Sequence, residues 1–266
     1  MGRRRRREIL PAMTDSLPVI AGSVDRLADL VRSLDDDALV RPAYPTEWRI
    51  CDVLSHIGSG AVIWSRLAED GLAGTPTPDD FNPSVWAEWN AKSPRSQADD
   101  CLVVDRRLVD RLADVADEER ARLHVSLGPM ELGWDDFLRM RMGEHVVHEW
   151  DVAVALDPTA TLADDGAAIL VDQLGAIAGF ASKPVGEPGT IVVATTGPGR
   201  SFAITIDEGV TLEPAAADAD ARADVTMPAE AFVRLVYGRL DPDHTPAAVT
   251  GDPAIVDRLR QVFTGF

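Results

Sequence analysis

Arg139-Met140-Arg141-Met142-Gly143-Glu144-His145-Val146-Val147-His148-Glu149-Trp150-Asp151 sets acids and imidazoles into a segment that otherwise reads as apolar helix. Glu144 and His148 are four apart, so a helix carries both on one face, one turn from each other, where they can converge on one ion. His145 and Glu149 repeat the spacing in reverse order, and helix surfaces often carry such pairs as solvated or hydrogen-bonded groups. Phe137, Met140, Val147 and Val154 form a heptad-like apolar stripe whose remaining positions are Glu144 and Asp151. Glu144 is therefore expected to point toward the core, where an ionised carboxylate is costly unless paired or metal-bound.

Upstream, His56 lies in Trp48-Arg49-Ile50-Cys51-Asp52-Val53-Leu54-Ser55-His56, on a second apolar segment. It is placed to supply a third ligand from another helix. Two imidazoles and a carboxylate around zinc, with one position open to water or substrate, suit a catalytic rather than a structural site.

Composition bounds what else the chain can do. The 266 residues suffice for one large or two modest domains, each with its own core. A formal net charge of -18 argues against a general nucleic-acid binder and against docking to anionic membranes. Handling a small anion in so acidic a protein requires local positive charge from a metal or arginines. Only Cys51 and Cys101 are present, too few for a disulfide framework, and there is no secretory or membrane-length apolar run. A reducing cytoplasm is the expected location. Cys51, five residues before His56, is read as a small buried side chain near a helix start rather than as a ligand.

Trp48-x3-Asp52-x3-His56 paired with Arg141-x2-Glu144-x3-His148-x-Trp150-Asp151, followed by an α+β tail, resembles the mycothiol-dependent maleylpyruvate isomerase family. The likeness covers most of the chain. It implies an N-terminal DinB-like up-down helical bundle followed by a small α+β domain of sterol-carrier-like type. It also implies a divalent metal, usually zinc, on His56, Glu144 and His148, with His145 facing away in a structural role. Abundant Arg and Ala and only two lysines, Lys92 and Lys183, fit the GC-rich coding of organisms that use mycothiol.

In order along the chain, residues 1–12 open with Arg3 to Arg7 and are expected to be a disordered basic leader, with Met13 a natural alternative start. Residues 13–182 are assigned to the bundle and 187–266 to the α+β domain. Ile20, Val24, Leu27, Leu30, Val31 and Leu34 recur at helical spacing over 17–34. A second helix follows Trp48 and carries Asp52, one turn before His56, as a candidate to orient its ring or as an early-turn acid favoured by the helix dipole. Phe81, Trp86 and Trp89 follow a loop in a segment expected to wall the site or simply to pack. Helices are predicted over 96–115, from Trp134 to Asp157, and over 164–180, the last apolar on most faces as between two domains. After the Pro- and Gly-rich break at 183–189 come short strands near 190–195, 201–207, 210–213 and 223–227, a helix after Pro228, an edge strand near 248–250 and a last helix capped by Asp252-Pro253.

The resemblance implies that the metal lowers the pKa of the mycothiol thiol, that the thiolate adds to the cis double bond of maleylpyruvate, and that rotation and elimination give fumarylpyruvate. Arg141 and Arg239 are the candidate catalytic side chains and Arg234 the candidate cofactor-binding one. Arg141 equally suits pairing with a neighbouring acid, while for the two second-domain arginines surface charge is the plainer reading. The partners expected are a small thiol and a small anionic or electrophilic substrate; the oligomeric state stays open. Mycothiol S-transfer to other electrophiles, a non-enzymatic carrier of an apolar ligand, and metal-activated hydrolysis are the alternatives.

Overall fold

The computed structural model describes residues 15–45, 47–128, 130–216 and 222–265. The basic leader lies outside them. Four long helices build the first part: α1 Ser16–Arg32, α3 Ile50–Ala73, α5 Pro94–Ala113 and α7 Trp134–Leu156. Their apolar stripes meet in one interior, with Ile20, Leu27, Ile50, Leu54, Leu108 and Phe137 at 0 % exposure. α3 packs on α5, and α1 on α7. Local signals set their ends. Asp15 caps α1 by accepting from Leu17 N at 3.0 Å, Ser93 caps α5 ahead of Pro94, and Gly74 ends α3 in the left-handed conformation at φ 68°.

Shorter pieces fill the connections: α2 Asp36–Leu39, α4 Phe81–Asn90, α6 Asp117–Arg120, and a hairpin of β1 Val125–Leu127 with β2 Met130–Leu132. The predicted helix over 164–180 divides into α8 Asp164–Leu170 and α9 Leu174–Ala181, separated by a 3₁₀ turn at Val171–Gln173. α8 packs on α1 and α7 and also on α10 Ala229–Val236, while α9 packs on β5 Val210–Pro214. This broken helix touches both the bundle and the α+β domain, but it is not buried on every face as its all-round apolar character suggested: Phe180 is 70 % exposed.

The second part is a five-stranded sheet in the order β5-β4-β3-β6-β7, with β3 Gly189–Thr196, β4 Arg200–Ile206, β6 Val225–Pro228 and β7 Thr250–Gly251. β3 and β6 run parallel and the other pairs antiparallel. α10 packs on β3 and β6, burying Phe232, Val233, Leu235 and Val236 completely or nearly so. α11 Pro253–Val262 begins as expected, Asp252 accepting from Ala254 N at 2.9 Å ahead of Pro253. The architecture is a helical bundle followed by an α+β domain. Among the described residues no helix is long and apolar enough to cross a membrane.

Candidate metal centre between the bundle and the sheet domain

α7 is polar on two faces. Arg141, His145 and Glu149, spaced four apart, turn into the bundle and are buried at 2 %, 0 % and 8 % exposure. There His145 Nε2 lies 2.5 Å from Asp105 Oδ2, Arg141 Nη2 reaches Asp105 Oδ1 at 2.6 Å, and His145 Nδ1 meets Ser23 Oγ at 2.7 Å. Ser23 donates to Glu149, which Arg26 also holds through Nε at 2.8 Å. Ser23, His145 and Asp105 have the order of a nucleophile, base and orienting acid, but all three are at most 1 % exposed, so no substrate reaches them. They form a buried, paired polar core. His145 thus has the structural surroundings expected for it.

The adjacent face carries Glu144, His148 and Asp151 toward a cleft of about 540 Å³ between the bundle and the sheet domain. Its lining includes Trp48, His56, Glu144, His148, Tyr237 and Arg239. His56 Nε2 is 3.2 Å from Glu144 Oε2, and His148 Nε2 is 3.8 Å from the same oxygen. One donor atom from each of the three side chains lies within 4.8 Å of the others. Glu144 does not enter the core as its heptad position suggested: its side chain is 45 % exposed, onto the cleft.

Electrostatics suit a cation. Partial removal from water in the cleft works to raise the Glu144 pKa, but the hydrogen bond with His56 and the pull of His148, His56 and Arg141 outweigh it and hold the carboxyl down at about 2. Burial lowers the pKa of His148 despite the opposing carboxylates, which favours the neutral ring that a ligand must have. Its Nδ1 is 2.8 Å from Asp151 Oδ2. Asp151 is fully buried and kept ionised by His148 and Arg239 against the cost of burial. As an acceptor only, it requires Nδ1 to carry the proton, so the lone pair of His148 is on Nε2, toward Glu144. Trp48 closes one side, its ring 6.0 Å from and nearly parallel to that of His148. An ionised carboxylate, a neutral imidazole of set tautomer and a second imidazole beside an open cleft form a donor set that fits zinc or a similar divalent ion.

Two family models cover nearly the whole described chain. The Mycothiol maleylpyruvate isomerase N-terminal domain matches residues 20–153, and the MDMPI C-terminal domain matches residues 162–258.

The chain belongs to the mycothiol-dependent maleylpyruvate isomerase family.

Solved structures agree on the fold. The crystal structure of the mycothiol-dependent maleylpyruvate isomerase superposes with a TM-score of 0.63 at 14 % identity, covering 88 % of this chain and 90 % of that one. A histidine mutant of that isomerase gives 0.62 at 14 % identity over 84 % of this chain and 88 % of that one. No curated protein sequence matches.

Within this member of the isomerase family, the other candidates named from sequence fall in different places. Arg141 lies behind the cleft, paired with Asp105, with Nη1 passing so close to Gly60 that a Cβ there would stand 3.1 Å from it. Arg234 is 1 % exposed, bound to Glu230 through Nε at 2.8 Å and Nη2 at 3.0 Å, its guanidinium 4.8 Å above Trp150; it does not line the cleft. Arg239 does line it, with its guanidinium turned to Asp151. Asp52 turns back to the helix start, where Arg49 N, Nε and Nη2 each donate to it at 2.9 Å. It is a cap, and the acceptor for a candidate ligand imidazole is Asp151 instead. Trp89 packs on Gly58 and Phe81 lies under Arg66, so neither walls the site. Tyr237 was not anticipated. Its signal was a lone aromatic just before the Gly238 that ends a helix, and its hydroxyl comes so near Gly143 that a Cβ there would be 2.8 Å away.

Proposed function

We propose that this protein is a metal-activated, mycothiol-dependent enzyme of the maleylpyruvate isomerase type. The convergence of His56, Glu144 and His148 on one cleft floor carries this reading. A divalent ion there would favour the thiolate form of mycothiol, whose addition to the cis double bond of maleylpyruvate, followed by rotation and elimination, gives fumarylpyruvate.

The chain's own residues do the rest. Glu144 stays ionised, and Asp151 keeps the His148 proton on Nδ1, so both present lone pairs to the same point. Trp48 and Val147 contribute apolar surface to the wall of the cleft. Tyr237, held protonated by burial and by the charge of Glu144, lines the cleft.

The test is conversion of maleylpyruvate to fumarylpyruvate with and without mycothiol. Turnover that requires the thiol and falls at least about 100-fold in Glu144→Gln supports the reading. Equal turnover without thiol, or none against maleylpyruvate or any of a panel of electrophiles in its presence, refutes it. One observation favours thiol transfer to less charged electrophiles as a second reading. Arg239, the guanidinium that lines the cleft among the described residues, is already neutralised by Asp151, so a dianion gains little from it. In that case a stable thioether accumulates instead of an isomer.

A further inference from the structure

Arg239 comes from the sheet domain, just after α10, yet its bonds go to a buried acid of the bundle 88 positions earlier. Nε lies 3.0 Å from Asp151 Oδ1 and Nη2 lies 3.1 Å from Oδ2, a two-toothed grip on both oxygens. Nη1 donates to the Tyr237 carbonyl at 2.7 Å, which holds the guanidinium plane against its own chain. Asp151 is fully buried, and its remaining side-chain bond is the one to His148 Nδ1. The result is an unbroken line from the sheet domain to a candidate ligand: Arg239, Asp151, His148.

We propose that Arg239 is a positioning residue through which the sheet domain sets the metal affinity of the bundle, by fixing Asp151 as the acceptor for the Nδ1 proton of His148. This rests on the metal-site reading above. A carboxylate behind a ligand imidazole fixes the ring's tautomer and orientation and raises its basicity, and loss of such a partner typically weakens metal binding about 10- to 100-fold. Here that carboxylate is itself steered by a guanidinium from another domain. Without Arg239, the buried Asp151 loses the guanidinium that grips both its oxygens, and its orientation rests on His148 alone, so it fixes the ring less firmly. Because coupling of binding to docking is reciprocal, a bound metal also tightens the seat of the sheet domain on the bundle. The arginine expected to touch substrate or cofactor thereby acts through His148 instead.

The test measures zinc affinity of the full-length protein by competition with a chromophoric chelator, with thermal melting as a check on folding. Arg239→Gln should bind zinc about 10- to 100-fold more weakly, Arg239→Lys should lose less, and Asp151→Asn should lose at least as much as Arg239→Gln. Since both act through one carboxylate, the Asp151→Asn/Arg239→Gln double variant should be no weaker than Asp151→Asn alone. Tyr44→Phe is the control, because Tyr44 bridges the two parts through Asp241 N at 3.4 Å without its side chain bonding to Asp151; it should bind zinc like the wild type. Unchanged affinity in Arg239→Gln, additive losses in the double variant, or an equal loss in Tyr44→Phe would overturn the proposal. If the wild type holds zinc and His148→Ala releases it while Arg239→Gln is unaffected, only this inference fails. A wild type that binds no zinc removes the metal centre and this inference together.

Discussion

Replacing Asp105 by Ala should damage the bundle more than any surface change, although Asp105 lies off the cleft. Its carboxylate is 1 % exposed and is shared by Arg141 Nη2 at 2.6 Å and His145 Nε2 at 2.5 Å, themselves 2 % and 0 % exposed. Truncation leaves the Arg141 charge buried, with its bond to the Ile57 carbonyl at 3.4 Å as the remaining one. Removing one partner of a buried ion pair costs about 3–5 kcal/mol. At about 2–4 °C per kcal/mol for a protein of this size, the melting temperature should fall by roughly 6–20 °C. Asp105→Asn, which keeps the shape and one acceptor, should cost less than Asp105→Ala. Urea unfolding should show a lower midpoint at unchanged slope.

The pH dependence has a definite sign. Burial would raise the Asp105 pKa, but His145 and Arg141 outweigh it and hold it below the ordinary carboxylate value. A folded-state pKa below the unfolded value of about 3.9 gives stability that is fully present above that value and lost as pH falls through the folded one. The carboxylate's own contribution to the gap between wild type and Asp105→Ala should therefore be lost on acidification below about pH 4. A loss under about 1 kcal/mol in Asp105→Ala, or a larger loss in Asn than in Ala, would refute the reasoning.

Two further outcomes are expected, one from the packing and one from the cleft. A Cβ on Gly58 would stand 2.3 Å from the Trp89 ring, so Gly58→Ala should cost about 1–3 kcal/mol by overpacking, measured by urea unfolding; an unchanged midpoint would show that Trp89 yields freely. Glu144, at about 2, stays ionised at any pH above about 4, so acid release of bound zinc should not track its titration. Equilibrium dialysis across pH checks this, and release with a midpoint near 2 to 3 would contradict it.

Much of the fold was legible because α1, α3, α5 and α7 each bury a stripe at helical spacing, and because Asp252-Pro253 and the Gly-Pro break near 183–189 are strong local punctuation. The break within 164–180 was not, since a segment apolar on nearly every face gives no phase from which to see a 3₁₀ turn. The β1–β2 hairpin, three residues a side, is too short for alternation to show its pairing. At the candidate site, spacing brought out Glu144 and His148, and the resemblance joined His56 to them. Spacing could not distinguish Asp52 from Asp151 as the partner of an imidazole: both lie about one turn from a histidine, and the choice turns on Arg49, which claims Asp52 for the helix start, and on Arg239, which arrives from another domain. Arg141 and Arg234 illustrate the same limit. Each is an arginine near the site in sequence whose charge is met by a buried acid, Asp105 or Glu230, that only the packed structure brings to it.

The most direct test of the central claim is the zinc content of the purified protein and of His148→Ala, by elemental analysis after brief dialysis against a weak chelator. The account predicts near-stoichiometric zinc in the wild type and its loss in the variant. Equal and negligible metal in both, even after zinc is added back, would contradict it.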